Sequence, residues 1–263
     1  MSLLSANVLL TGATGGIGHA IARAFAARGA RLVLTGRRVE ALQTLAREVG
    51  GRAVACDLAR RDDVERLVGE AAEVDVLIAN AALPASGVLT ELTADQIDRM
   101  LEVNLRAPVA LARGLAPAMV QRGRGHMVFI SSLAGKVASP ASSLYSATKF
   151  GLRGFALGIR EDLRPNGIGV SVVLPGFIRE AGMFADAGVE LPRGVGTRSP
   201  EDVAAGVIRA IERNRAEVEI APVGLRVAAA LAGLAPQLVA SLSRRMGAEE
   251  IAGRMAAGQR HKR

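Results

Sequence analysis

Aromatic residues are scarce in this 263-residue chain, which has no Trp, one Tyr and six Phe. Without aromatic platforms on which bases could stack, single-stranded nucleic acid is not an expected partner. Cysteine is almost absent too. The lone Cys56 can form no internal disulfide, which suits a reducing compartment and a cytoplasmic protein. The three histidines, His19, His126 and His261, are scattered and suggest no metal site. Long apolar runs are missing. The first, Val8 to Leu10, leads straight into a glycine-rich turn and does not read as a secretory signal. The Ala/Leu/Val-rich stretch Val227 to Leu242 is broken by Gly233 and Pro236 and is too short to span a bilayer. It is expected to pack on its own domain or on another subunit, with weak peripheral contact at a membrane surface as the alternative. No internal repeat or low-complexity linker divides the chain, so one domain over residues 1–263 is expected, with 222–263 as a C-terminal extension.

Half of the residues are hydrophobic, enough for a sizeable core. The net charge of +8 comes from arginines spread throughout, and the densest cluster, Arg260, His261, Lys262 and Arg263, reads as a solvated tail. Short apolar runs alternate with longer helical patterns to about residue 220. The runs are Val8–Leu10, Leu32–Thr35, Ala53–Cys56, Val76–Ala79, Met127–Ile130, Val170–Leu174 and Val218–Ile220. Apolar residues at consecutive positions mark strands buried on both faces. Between them, Ile17, Ile21, Ala24 and Phe25 share one helical face, as do Leu42, Leu45 and Val49. The pattern predicts an α/β fold, a Rossmann-type doubly wound parallel sheet of about seven strands with helices on both faces. Pro108 suits a first helical turn, Asn166-Gly167 a helix end, and Ser199 to Asp202 a capped helix start. Residues 177–198 are glycine-containing and weakly periodic, as either a substrate loop or a plain surface loop would be.

The first strand runs through Thr11-Gly12-Ala13-Thr14-Gly15-Gly16-Ile17-Gly18 into an amphipathic helix. A glycine-rich turn at a helix N-terminus offers unpaired N–H groups and a dipole suited to a pyrophosphate. Gly12 permits the tight turn, Gly16 a close approach of phosphate, and Gly18 close packing of helix on strand. The spacing fits G-x-x-x-G-x-G or G-x-x-G-x-x-G, and the turn alone does not choose between them. After the second strand, where an acidic residue would bind the ribose 2′-hydroxyl of NAD(H), the chain has Arg37-Arg38. Two guanidinium groups there favour the 2′-phosphate of NADP(H).

The only tyrosine, Tyr145, is followed four residues later by Lys149, one of three lysines. On a helix the two share a face, and an ammonium near a phenol favours the phenolate. Tyr145 is then a candidate general acid/base. Ser131-Ser132 end the fifth strand, at the carboxyl edge where open α/β sheets bind ligands, and a hydroxyl there could hold a substrate oxygen.

With these motifs in this order, the chain resembles the short-chain dehydrogenase/reductase family over about residues 5 to 220. The family's Asn-Ala-Gly motif is met as Asn80-Ala81-Ala82, its catalytic asparagine as Asn104, and its Tyr-x-x-x-Lys as Tyr145 to Lys149. Its serine, thirteen residues before the tyrosine, matches Ser132 and not Ser131. The resemblance implies that Tyr145 is the general acid/base and that Ser132 orients the substrate oxygen. Lys149 would hold the nicotinamide ribose and lower the tyrosine pKa, and Asn104 would support a proton-relay water. Cofactor contacts are implied at Gly12, Thr14, Gly15, Gly16, Ile17, Gly18, Arg37, Arg38, Asp57, Leu58, Asn80, Ala81, Pro175, Gly176 and Ile178, with Asp57 at the adenine. A homodimer or homotetramer is implied as well. Two positions depart from the family: Ala82 replaces a glycine, and Glu180 replaces a threonine that bonds the nicotinamide carboxamide.

The activity expected is interconversion of an alcohol with a ketone or aldehyde. The alternatives are a sugar-nucleotide epimerase or dehydratase on the same fold, and a non-enzymatic NADP-sensing or scaffold protein. Residues near Leu133 to Leu144, with Phe177, Ile178, Met183, Phe184, Val189 and Leu191, suggest an apolar substrate or a loop packed on the core.

Overall fold

The computed structural model describes residues 1–84, 87–180, 195–235, 237, 241 and 248–259. Seven parallel strands form one sheet: β1 (Asn7–Thr11), β2 (Arg31–Gly36), β3 (Arg52–Ala55), β4 (Val76–Ala79), β5 (Gly125–Ile130), β6 (Ile168–Pro175) and β7 (Glu217–Ile220). Their spatial order is β3-β2-β1-β4-β5-β6-β7. Chain direction across the sheet reverses between β1 and β4, which opens a crevice at the carboxyl ends of those two strands. The third strand lies one residue earlier than its apolar run suggests, so Cys56 falls just beyond it, buried.

Successive strand residues face opposite sides and enter two separate cores. Val8 and Leu10 of β1, Val76 and Ile78 of β4 and Val128 of β5 join one core with Ile21 and Phe25 of α1 (Gly16–Ala26) and Leu42 and Leu45 of α2 (Val39–Val49). Leu9, Leu77, Met127 and Phe129 join the other, with Val64 and Leu67 of α3 (Arg61–Glu70), Met100 of α4 (Ala94–Leu101), Leu111 and Leu115 of α5 (Ala107–Arg122) and Leu152 of α6 (Ser143–Leu163). Each fully buried Leu, Ile or Phe contributes roughly 1.5–3 kcal/mol. This is why the central strands β1, β4, β5 and β6 are buried almost throughout, whereas the edge strand β7 alternates.

Helix α7 (Pro200–Glu212) starts as expected: Ser199 and Asp202 form a reciprocal capping box. Gly167 closes the end after α6 with φ 75°. Pro108 behaves differently. Helices α4 and α5 are joined without interruption by a π turn, Glu102–Arg106, so Pro108 sits in the first turn of α5 but not at a free helix start. The π turn shifts the bonding register just before a residue that has no N–H to give.

Beyond β7, α8 (Val223–Leu234) buries Ala229 and Ala232 and exposes Val223, Val227, Leu231 and Leu234. A last helix, α9, spans Ala248–Gly258. The rest of the Val227 to Leu242 stretch falls almost wholly outside the described residues, as does the Arg260 to Arg263 cluster. Among the described residues no helix is long and apolar enough to cross a membrane.

Candidate active site

The crevice is floored by the turn between β1 and α1. Gly12 has φ 64°, and a Cβ on it would lie 2.7 Å from the Cα of Ala81. A Cβ on Gly18 would lie 2.3 Å from the Gly12 carbonyl oxygen, so helix and turn meet backbone to backbone. Thr11, which was not singled out from sequence, ties the crevice walls together. Its buried hydroxyl oxygen accepts from the N–H groups of Asn80 (3.0 Å) and Ala81 (3.1 Å). The Asn80 side chain donates in return to the carbonyls of Thr11 (3.1 Å) and Gly12 (3.2 Å). Asn80 and Ala81 therefore shape the turn. Helix α1 has no side-chain cap and no acid in its first turn, and Gly15 and Gly16 are exposed, whereas Ile17 is half-buried. Such a terminus fits a pyrophosphate, which would take up the N–H groups that a capping side chain otherwise satisfies.

Arg37 and Arg38 follow β2 and are exposed, as a phosphate-binding pair must be. Arg38 already donates to the Thr14 carbonyl, which braces the turn. Asp57, expected at the adenine, is engaged within the protein: its carboxylate accepts from the Ala59 N–H (3.1 Å) and pairs with Arg99 of α4 (3.5 Å). Leu58 beside it is buried. The Arg99 pairing carries no sequence signal, because it joins elements some forty residues apart.

Tyr145 and Lys149 lie on α6, facing the end of β5. The Lys149 side chain is buried, its Nζ donates to the Ile130 carbonyl (2.9 Å), and it stands 5.6 Å from the centre of the Tyr145 ring. The Ser132 hydroxyl stands by the Tyr145 phenol, where it favours the ionised form, and its oxygen also accepts from the Ala134 N–H (3.1 Å). Ser131 instead donates to the Lys149 carbonyl (2.9 Å), so the structure separates the two serines: Ser131 anchors α6, and Ser132 meets the phenol. Pro175 ends β6 beside them, and its carbonyl lies 3.4 Å from the Ser132 hydroxyl. The Gly176 N–H donates to the Ile220 carbonyl (3.0 Å).

Burial and packing define the surroundings of Tyr145, Lys149 and Asn104. Desolvation raises the Tyr145 phenol above its ordinary value, and the Ser132 hydrogen bond offsets this in part. Net lowering by Lys149 is therefore not a property of the protein alone. Burial also works on the lysine, bringing its ammonium down to about 8. Asn104 is fully buried in the π turn, and its side chain is bound both ways to one residue: Oδ1 accepts from the Leu83 N–H (2.7 Å) and Nδ2 donates to the Leu83 carbonyl (2.9 Å). It holds the segment after β4 in place.

The loop base is closed by a bridge between Ile178 and Arg198, with Ile178 buried and Phe177 accepting from the Arg198 N–H (2.9 Å). Glu180 adopts φ 67° and pairs with Arg179 (3.1 Å). Met183, Phe184, Val189 and Leu191 lie outside the described residues.

The family model described as short chain dehydrogenase matches residues 6–190. The ketoacyl reductase HetN of Nostoc sp. (strain PCC 7120 / SAG 25.82 / UTEX 2576) is 36% identical over 226 residues, covering 82% of this chain and 79% of that protein. Among solved structures, a short-chain dehydrogenase from Sphingobium yanoikuyae in complex with NADPH superposes with a TM-score of 0.75 at 32% identity, covering 81% of this chain and 87% of the other. A metagenomic short-chain oxidoreductase in complex with NADP gives 0.71 at 33% identity, covering 84% of this chain and 99% of the other.

Proposed function

The chain belongs to the short-chain dehydrogenase/reductase family, and from that premise we propose that it is an NADP(H)-dependent oxidoreductase that reduces a ketone or aldehyde to an alcohol. The observation that carries the reading is the contact of the sole tyrosine, Tyr145, with Ser132 at the mouth of the crevice, above a buried Lys149. A protonated phenol is suited to giving a proton to a carbonyl oxygen as negative charge grows on it. Ser132 places that oxygen and shares its charge. Lys149 would hold the ribose side of the nicotinamide, and its ammonium lies 5.6 Å from the centre of the Tyr145 ring. Asn104 acts one step back, by fixing the segment that starts at Leu83. When bound, the nicotinamide supplies the hydride.

NADP(H) over NAD(H) is supported by Arg37 and Arg38 at the end of β2, with no carboxylate there, and by the NADPH and NADP held by the two related structures. Leu133 next to Ser132, Leu144 next to Tyr145 and Phe177 next to Gly176 support an apolar carbonyl substrate, and we read residues 1–263 as one domain. The test is NADPH oxidation against a panel of aldehydes and ketones. Tyr145→Phe is expected to retain NADPH binding and to lower kcat at least about 100-fold. Turnover by that variant at the parent rate would remove the proposal.

A further inference from the structure

Strand β7 alternates Glu217-Val218-Glu219-Ile220, and Val218 and Ile220 enter the core under α7. Both glutamates consequently stand on the opposite face, the one α6 covers, at the edge of the sheet. Lys136 donates to both of them, at 2.6 Å for Glu219. Glu217 also accepts from Arg153 of α6 (2.6 Å), and Glu219 from Arg226 of α8 (3.0 Å). Lys136, Glu217 and Glu219 are each at most 22% exposed in the side chain, so this network is less screened than a surface pair.

Lys136 ends the short helical turn that begins at Ser132, and the turn is rigid. Gly135 donates to the Ser132 carbonyl (2.8 Å), and Lys136 and Val137 to the Leu133 carbonyl (2.8 and 3.0 Å). One side of the turn is wedged against α6: a Cβ on Gly135 would lie 2.8 Å from the Lys149 carbonyl oxygen and 2.7 Å from the Ser131 hydroxyl. The other side is held by the ionic contacts of Lys136 with β7.

We propose that Lys136, gripped by Glu217 and Glu219, is a positioning residue that fixes Ser132 against the Tyr145 hydroxyl. The inference rests on the reading above that Tyr145 and Ser132 carry the chemistry. The Lys136 ammonium is held by two carboxylates at once, which fixes where its side chain ends. What it supplies is a tether from the serine turn to the edge strand.

The test is a double-mutant cycle on the full chain with cofactor bound, pairing Lys136→Met with Ser132→Ala. Lys136→Met is expected to lower kcat about tenfold while KM stays within about threefold, and to lower kcat less than about twofold when Ser132→Ala is already present. The second readout does not need turnover. Tyr145 is the only tyrosine, so protein labelled with carbon-13 at tyrosine Cζ gives one resonance. Lys136→Met and Ser132→Ala are each expected to move it, and the double variant no further than Ser132→Ala alone. Glu219→Gln guards against a misfolded Lys136 variant, and it should shift kcat and the resonance in the same sense by less. Parent-like kcat and an unmoved resonance in the folded variants overturn the proposal, as does a Lys136→Met loss undiminished by Ser132→Ala. If the parent reduces no carbonyl compound, the functional reading alone fails, and the tyrosine resonance still decides whether Lys136 acts on Tyr145 through Ser132.

Discussion

Arg37 and Arg38 are neighbours with the same charge, but the structure gives them different work. Arg38 is tied to the Thr14 carbonyl and braces the phosphate turn, whereas Arg37 stands exposed at the end of β2. Arg37→Ala is therefore expected to weaken NADP binding about tenfold or more and NAD binding less than twofold, as loss of a charge-assisted contact with the 2′-phosphate alone would do. Arg38→Ala should weaken both cofactors, because the turn serves the pyrophosphate they share. Fluorescence titration with NADPH and NADH separates these outcomes, and equal losses of both cofactors in Arg37→Ala would remove the charge argument. At the same scale, residue chemistry explains what the sequence could not reveal about Tyr145. Spacing places its ring near Lys149, but burial of both groups, which favours the neutral form of each, depends on how α6 packs against β5.

The elements that were legible in the sequence are those whose signals are local. Seven apolar runs became seven strands, and the Ser199 to Asp202 cap became a capping box, since burial on both faces and cap chemistry each leave a mark within a few residues. The glycine turn was legible for the same reason, and it allows a sharp comparison. A Cβ on Gly18 meets backbone atoms of Gly12 and Ala13 at 2.3 to 2.8 Å, which no side-chain rotation can relieve, while one on Gly15 has its nearest neighbour at 3.5 Å. Gly18→Ala is expected to destabilise the fold by about 1–3 kcal/mol and to abolish cofactor binding. Gly15→Ala should melt like the parent. Thermal denaturation of both variants checks this, and a parent-like melting temperature for Gly18→Ala would contradict it. The Asn104 contact with Leu83, the Arg99 contact with Asp57 and the grip of β7 on Lys136 were not legible. Each joins residues distant in sequence, and of the two glutamates only Glu219 lay within the run Val218–Ile220, which was recognised by its apolar residues.

For the molecule as a whole, a histidine in the middle of the sheet makes folding sensitive to acid. His126 on β5 is 2% exposed, and its Nε2 lies 2.8 Å from the Ser171 hydroxyl on β6, which itself donates to the Arg215 carbonyl (2.6 Å). The Ser171 proton is thus committed, and Nε2–H is the donor. The other ring nitrogen fills the space left by Gly169, where a Cβ would come within 2.2 Å of it. A second ring proton would have to be accommodated in that tight, buried corner, near the Arg160 guanidinium. Burial first, and that charge second, hold the His126 pKa down to about 3, against 6.5 for a free histidine. Between those values the unfolded chain binds a proton that the folded chain refuses, so stability is complete above pH 6.5 and falls as the pH drops. From pH 7 to pH 5 the expected loss from His126 is about 2 kcal/mol, most carboxylates are still ionised over that range, and His19, whose pKa burial also lowers, adds in the same sense. Because β5 lies between β4 and β6, opening this contact separates both cores, and the loss should appear as a lowered urea midpoint for the entire transition. His126→Asn should be less stable at neutral pH but should lose clearly less than the parent between pH 7 and pH 5, the remainder belonging to His19. A parent protein whose midpoint does not change over that interval would show that the ring is not held neutral by the fold.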